Sequence, residues 1–113
     1  MKYQVVLVPF PFDDLSSSKL RPAICLTNSI GIYNHVVCAF ITSNLTAKIE
    51  PSDILLSSND PGFTLTGLKV NPAIRLHRLI TISERLILRI LGELPLTTID
   101  EIRSKLKTLF GIN

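Results

Sequence analysis

Four residues have side chains that could cleave RNA without a metal ion: Arg21, Thr42, Arg75 and His77. Arg21 precedes Pro22, and a residue before proline is held in an extended conformation, which fixes the direction of its guanidinium. Arg75 and His77 are two residues apart, so we expect them on one face of a strand. Such a set could take the proton of a 2′-hydroxyl, neutralise a phosphorane and protonate the leaving oxygen. The same residue types are also common at strand ends and turns without any catalytic role, so residue type alone leaves both interpretations open.

Positive charge is grouped along the chain, which has a formal net charge of +3. One group is Lys19 and Arg21, a second runs from Lys69 to Arg89, and a third lies near the C-terminus. Cations in the last turns of a helix usually match its dipole, whereas the first two groups border predicted strands and loops. If those two groups converge, they form a groove suited to a polyanion. The candidate residues for binding it are Lys19, Ser43, Asn44, Lys69 and Arg78.

Metal and cofactor motifs are absent from the sequence. It has no glycine-rich phosphate loop, no HExxH and no cysteine pair at ligand spacing. The adjacent carboxylates of Asp13 and Asp14 lack further ligands nearby, so we expect them to be solvated. Cys25 and Cys38 fall on two predicted strands that a hairpin near residue 31 would bring face to face, and we expect reduced, buried thiols. We therefore expect no metal and no cofactor.

The composition indicates one domain, spanning residues 1–113, that associates with a second copy. Apolar residues make up 46% of the chain and charged residues 19%, against about 25% charged residues in typical domains. A small domain has little interior in which to bury so much apolar surface, so we expect a homodimer. The N-terminal apolar segment is broken by Pro9 and Pro11, which is unlike a signal peptide. We expect a cytoplasmic protein without membrane attachment.

Short apolar runs separated by turn residues predict a mainly β fold. The expected strands cover residues 3–10, 22–27, 36–42, 49–57 and 70–79. The segment SERLILRILGEL predicts a helical turn at Ser83 and then a strand that ends at Gly92. Together these elements predict a small, strongly bent barrel.

Two further patterns define the last parts of the chain. In the strand at 70–79, Arg75 and His77 alternate with Leu76 and Arg78, which predicts that Arg78 lies on the opposite face. A final helix is predicted with a capping box formed by Thr98 and Glu101 and with Gly111 as its end: Ile99, Ile102, Leu106 and Leu109 recur on one face.

Several stretches of the sequence occur together in a characteristic order: VVLVPFPFDDLSSSKLRPAICLT, VCAFITSN, TGLKVNPAIRLHRLITI and LILRILGEL, before a final helix. In these stretches the chain resembles the MazF/PemK family of type II toxin–antitoxin endoribonucleases. The resemblance implies an SH3-like barrel with a C-terminal α-helix and a homodimer. It also implies sequence-specific, metal-independent cleavage of single-stranded RNA to 2′,3′-cyclic phosphate and 5′-hydroxyl ends, which would inhibit translation and growth. A cognate antitoxin would silence the toxin by occupying the RNA groove of the dimer.

The resemblance also implies roles for single residues. Arg21 matches the family's catalytic arginine, Thr42 its catalytic threonine, and Arg75 a second arginine of the RNA site in some members. His77 stands where many members have an aspartate proposed as an acid–base group, and the first loop lacks a histidine that some members use there. His77 could replace the aspartate, since histidine is the side chain best suited to proton transfer near neutral pH. Alternatively, activity is weak or depends on Arg21 and Thr42 alone.

Two non-catalytic functions are compatible with the same barrel. One is a topoisomerase poison that acts by protein contact and depends on a C-terminal Trp-Gly-Ile. This chain ends Phe110-Gly111-Ile112-Asn113 and contains no tryptophan. The other is an inactive homologue that only binds RNA or protein, an interpretation that His77 supports.

Overall fold

A computed structural model describes residues 1–10, 19–43, 48–69 and 72–113. Within these ranges six strands form one antiparallel sheet, followed by an α-helix. The strands are β1 (Gln4–Phe10), β2 (Lys19–Cys25), β3 (His35–Thr42), β4 (Asp53–Leu55), β5 (Ala73–Ser83) and β6 (Arg89–Glu93), and the helix is α1 (Leu96–Phe110). Their order across the sheet is β4-β5-β3-β2-β1-β6. The sheet curls into a half-barrel, which confirms the predicted mainly β barrel with a C-terminal helix.

Apolar residues on both sides of β2 and β3 explain the central position of these strands. One side packs into a cluster that includes Ile24, Ile41 and Ile102 of α1. The other side packs into a cluster that includes Cys25 and Phe40. Full burial of an isoleucine side chain contributes about 1.5–3 kcal/mol relative to exposure. Both faces of the central strands are therefore covered, as their continuous apolar runs predicted.

The start of β2 and the hairpin after it show how the chain enters the central strands. β2 begins at Lys19, earlier than predicted, although Pro22 lies within it. The β2–β3 ladder begins at Ala23, so the missing N–H of Pro22 costs no hydrogen bond to β3. The predicted hairpin is confirmed: Gly31 adopts a φ of +70°, and the Asn34 N–H donates to the Gly31 carbonyl at 3.2 Å.

An irregularity in β5 changes which side chains share a face of the sheet. Leu79 pairs with Ala39, but the next residue of β3, Phe40, pairs with Arg75. The residues of β5 inserted between these pairs reverse the alternation of side chains. The Arg78 guanidinium consequently lies 5.0 Å from the centroid of the Phe40 ring, on the face of Arg75. The prediction that Arg78 and Arg75 lie on opposite faces of the sheet is wrong for this reason.

The C-terminal helix begins after Pro95, and the predicted capping box is wrong. Pro95 has an extended backbone and provides no side-chain cap, while its carbonyl accepts the N–H groups of Thr98 and Ile99. Thr98 therefore lies inside the first turn, where it is buried. The predicted end at Gly111 is confirmed by a φ of +67°. No helix in the described part of the chain is long and apolar enough to cross a membrane.

Two glycines allow a 3₁₀ turn over Phe63–Thr66 to lie directly against β6. A Cβ atom on Gly92 would collide with the backbone of the 3₁₀ turn, and one on Gly67 would collide with the Leu91 carbonyl. Gly67 also has a φ of +70°, which disfavours any other residue. This contact brings the segment that carries Lys69 beside the start of β6.

Candidate functional site

Cationic and hydroxyl side chains line a depression at one end of the sheet. Arg21 comes from β2, Ser43 follows β3, Lys69 follows the 3₁₀ turn, and Arg89 begins β6. The depression has a volume of about 480 Å³. Its other described lining residues are Pro22, Ile41, Gly67, Leu68, Pro72 and Leu91, so none of the described lining residues is acidic. Cations that converge without a carboxylate raise the local positive potential, which favours an anionic ligand.

Thr42 lies beside Arg21 on the same face of the sheet. It is the last residue of β3, is buried, and stands opposite Ala73 of β5. The β2–β3 ladder pairs Ala23 with Phe40. Alternation along each strand puts Arg21 on the face of Ala23 and Thr42 on the face of Phe40. The threonine and the arginine predicted for catalysis therefore project from the same face of neighbouring strands.

A second cluster, on β4 and β5, is organised around a buried carboxylate. The Asp53 side chain is only 3% exposed, and its Oδ2 lies 3.3 Å from Nη2 of Arg75. The same oxygen accepts the Glu50 N–H at 2.8 Å. Arg75 Nη2 also donates to the Lys48 carbonyl at 3.4 Å. A buried charge requires a partner, so this ion pair holds the Arg75 guanidinium in one place.

His77 adjoins the same carboxylate but is more exposed. Its Nδ1 is 3.1 Å from Ser52 Oγ and 3.9 Å from Asp53 Oδ1. The ring lines a groove of about 760 Å³ between β4 and α1, together with Glu50 and Lys105 among others. His77 therefore combines access to solvent with a buried anion behind it.

Arg21 of the depression shares a face of the sheet with Thr42 and with Arg75 of the cluster, whereas the lining residues Pro22, Ile41 and Arg89 project from the other face. Arg75 stands opposite Phe40, two residues before Thr42 on β3. Diagonal neighbours of this kind have Cα atoms about 7–8 Å apart, within reach of a long side chain. Arg21, Thr42 and Arg75 therefore project from one face of three neighbouring strands. His77 follows two residues along β5, at the inserted segment.

The other residues predicted to bind RNA do not all line the depression. Lys19 is exposed at the start of β2, where it pairs with Phe10 of β1. Arg78 is exposed over the Phe40 ring rather than in the depression. Asn44 lies outside the described residues. Lys69 and Ser43 therefore share the depression with Arg21, whereas Lys19 and Arg78 are not part of its lining.

Sequence reasoning missed two residues of the site. Arg89 was only part of a broad cationic group, although it begins a strand that pairs with β1 beside the depression. No pattern in the sequence marks Asp53 as a partner of Arg75, because their contact depends on the pairing of β4 with β5. Only an acidic residue opening a short strand, in the segment EPSDIL, could have drawn attention to it.

The two thiols lie inside the core of the sheet. Cys25 pairs with Cys38 across β2 and β3, as predicted, and both are free and buried. A hydrogen bond from Cys38 lowers the pKa of Cys25, while the same bond and burial raise the pKa of Cys38. Asp13 and Asp14 lie outside the described residues. Among the residues that are described, no three His, Cys, Asp or Glu side chains form a group that could hold a metal ion.

Comparison with known proteins relates the whole chain to one group of toxins. A family model described as PemK-like, MazF-like toxin of type II toxin–antitoxin system matches residues 1–110. One similar structure is a mycobacterial endoribonuclease in complex with its cognate antitoxin (19% identity, 100% of this chain and 96% of that chain, TM-score 0.69). Another is the Mycobacterium tuberculosis toxin MazF-mt6 (16% identity, 97% and 98%, TM-score 0.74). A third is a MazE–MazF complex from Deinococcus radiodurans (22% identity, 99% and 96%, TM-score 0.70). No curated sequence matches the chain.

Proposed function

The chain belongs to the PemK-like, MazF-like toxins of type II toxin–antitoxin systems, and we propose that it is a sequence-specific, metal-independent endoribonuclease that cleaves single-stranded RNA. One structure with the same fold is described as an endoribonuclease. The observation that carries the proposal is the common face of Arg21, Thr42 and Arg75 beside a depression whose described lining is free of acidic residues. Such a face attracts an RNA backbone and places a hydroxyl between two guanidinium groups. Cleavage of mRNA at this face would inhibit translation and growth.

The reaction that suits these side chains uses the RNA's own 2′-hydroxyl as the nucleophile. A base takes the hydroxyl proton, O2′ attacks the adjacent phosphorus, and the bond from phosphorus to O5′ breaks. The 5′ oxygen then takes a proton from solvent, which leaves a 2′,3′-cyclic phosphate and a 5′-hydroxyl. In this scheme Arg21 stabilises the phosphorane and His77 is the base. Thr42 donates a hydrogen bond to a phosphate oxygen.

Arg75 and the surrounding cations would hold the substrate. Arg75 is fixed by Asp53, so it provides a guanidinium of defined position for a phosphate oxygen. Lys69 and Arg89 line the depression, and the exposed Lys19 begins β2, the strand that carries Arg21. Contacts of this kind fix the register of the RNA and do not read its bases. Ser43, Asn44 and Arg78 are the proposed residues for further contacts along the strand.

We propose that the chain acts as a homodimer. The strand β6 lies at the edge of the described sheet, and Leu88 and Ile90 beside and within it are 56% and 57% exposed. An exposed apolar edge strand favours association with another chain. Sedimentation at micromolar concentration should show a species of twice the chain mass of 12.5 kDa. A single species at the chain mass would contradict the dimer.

The protein partner that suits this toxin is a cognate antitoxin, in the cytoplasm where mRNA is available. Two similar structures contain such a partner, one described as a cognate antitoxin and one as MazE. The cationic face around Arg21 would bind an acidic segment of the antitoxin in place of RNA. Competition between the antitoxin and RNA in a binding assay should therefore be mutual.

Analysis of the RNA ends tests the proposed reaction. Purified protein should cleave a single-stranded RNA in the presence of EDTA, and mass spectrometry should find a 2′,3′-cyclic phosphate on one product and a 5′-hydroxyl on the other. The Arg21→Ala variant, prepared identically, should leave the RNA intact and so exclude a contaminating nuclease. Products with 5′-phosphate ends, or no cleavage by a folded dimer that still binds RNA, would contradict the proposal.

A further inference from the structure

Resting on the function proposed above, we propose that Asp53 is a positioning residue of the RNA site. Its buried carboxylate fixes Arg75 through an ion pair, and its free oxygen faces Nδ1 of His77, where it would hold the hydrogen on Nδ1 and leave Nε2 to take the substrate proton. Asp53 does not contact the RNA in this scheme. It acts through the two side chains of β5 that do.

Two hydrogen bonds besides the ion pair hold Asp53, one to its carboxylate and one to its main-chain carbonyl. Its Oδ2 accepts the Glu50 N–H at 2.8 Å, which closes a turn onto the start of β4. The Asp53 carbonyl accepts a hydrogen bond from Lys105 Nζ at 2.8 Å, so α1 also supports this residue. Lys105 in turn pairs with Glu101 at 2.9 Å. A side chain anchored in this way is suited to orient its neighbours.

One oxygen of the carboxylate has capacity for another hydrogen bond. Oδ1 of Asp53 is buried and accepts no hydrogen bond within the described part of the chain. His77 Nδ1 lies 3.9 Å from this oxygen. A buried acceptor without a partner is costly. A small rotation of the exposed imidazole would satisfy it.

The chemistry of the two neighbours of Nδ1 decides which nitrogen of His77 carries the proton. The Ser52 hydroxyl, 3.1 Å from Nδ1, can donate or accept and therefore fixes no tautomer. An ionised carboxylate only accepts, so its partner nitrogen must carry the hydrogen. Charged groups near the ring are Asp53 on β4, Glu50 before it, Arg75 on β5 and Lys105 on α1. Asp53 is therefore the residue that places the hydrogen on Nδ1.

Nitrogen NMR of the histidine rings tests this assignment without reference to activity. The chain has two histidines, so a His35→Gln variant assigns both rings. At about pH 8, where histidine is mostly neutral, the His77 ring of the unmodified protein should be the Nδ1–H tautomer. Asp53→Asn should shift it toward Nε2–H, because an amide can also donate, whereas Ser52→Ala should leave it unchanged. An Nε2–H tautomer in the unmodified protein, or a tautomer that responds to Ser52→Ala and not to Asp53→Asn, would overturn the proposal.

Kinetics then connects the tautomer with cleavage. Asp53→Asn should lower kcat about 10²-fold, the typical cost of a misplaced reacting group. In a His77→Ala, Arg75→Ala background the same change should have almost no further effect, because Asp53 acts through those side chains. Asp60→Asn is the matched control, since Asp60 Oδ1 also accepts a backbone N–H, that of Gly62, at 2.9 Å. Unchanged kcat in a folded Asp53→Asn protein would overturn the positioning role. If the unmodified protein does not cleave RNA at all, the proposed function fails, and the tautomer still decides whether Asp53 orients His77.

Discussion

Arg21 and Arg75 lie on one face of the sheet but in different electrostatic surroundings. Arg75 is paired with the buried carboxylate of Asp53. Arg21 lines a depression with Lys69 and Arg89, and no acidic residue is among the described lining. The two arginines would therefore act on a bound anion in different ways. The ion pair with Asp53 holds the Arg75 guanidinium in place but balances its charge. The cations around Arg21 keep a positive potential, which attracts an anion.

The largest expected effect is the loss of the charge at Arg21. Arg21→Ala should lower the rate of RNA cleavage about 10²–10³-fold, the usual cost of removing one preorganised donor. Arg21→Lys should recover little, because an ammonium group cannot reproduce the fork of a guanidinium on phosphate. Initial rates on a labelled single-stranded RNA provide the measurement, with thermal melting as a check on folding.

The exposed Arg103 of α1 offers a matched control for that experiment. Arg103→Ala removes the same charge from another surface and should leave cleavage unchanged. Full activity in Arg21→Ala, or an equal loss in both variants, would remove Arg21 from its proposed role.

A smaller effect is expected from the loss of His77, which adjoins the ion pair of Asp53 and Arg75. His77→Ala should slow cleavage about 10²-fold, because a general base contributes at least that much. It should also remove the limb of the pH–rate profile that reports the general base. His77→Asp should move that limb to lower pH. A variant with an unchanged rate and profile would show that His77 only fills space, and His35→Ala is the control.

Substitutions in the depression should change RNA affinity more than substitutions in the cluster around Asp53. RNA affinity should fall as salt rises, because phosphate contacts release counterions. Lys69→Ala should reduce the slope of log K against log salt by about one, as expected for a single lost phosphate contact. Lys107→Ala, which removes an exposed cation of α1, should leave the slope unchanged. Affinities that do not depend on salt would contradict the proposed surface.

The smallest expected effect concerns Arg78, outside the depression. Arg78→Ala removes the contact between its guanidinium and the Phe40 ring. The free energy of unfolding should fall by about 0.5–1 kcal/mol, the range of an exposed cation–π contact. Denaturant unfolding measures this change. A loss of cleavage as large as that of Arg21→Ala would instead place Arg78 among the catalytic residues.

The sequence was informative where local rules decide the structure. The spacing of Arg75 and His77 predicted a common face because strand residues alternate with a period of two. Neighbouring strands β2 and β3 followed from their apolar runs and the turn residues between them. These rules use only residues close together in the chain, and they do not include the pairing of β3 with β5 that puts Arg75 beside the strand of Thr42.

Long-range pairing decided the features that the sequence did not predict. The face of Arg78 depends on residues inserted opposite β3, which no pattern within β5 reveals. The contact of Asp53 with Arg75 depends on the register of a three-residue strand. The helix starts after Pro95 because the Pro95 carbonyl accepts the first N–H groups of the helix, whereas Thr98 lies inside the first turn. The first two features depend on residues distant in the chain, and the third depends on a hydrogen bond of the backbone rather than of a side chain.

The central claim is that the depression and the cluster act as one RNA site, and an uncleavable RNA tests it most directly. A single-stranded oligonucleotide with a 2′-deoxy residue at the cleaved position lacks the nucleophile and should remain bound. Amide chemical shifts during its titration should change along one continuous surface that includes Arg21, Thr42, Arg75 and His77. Shift changes confined to α1, or to the depression without β4 and β5, would contradict the account.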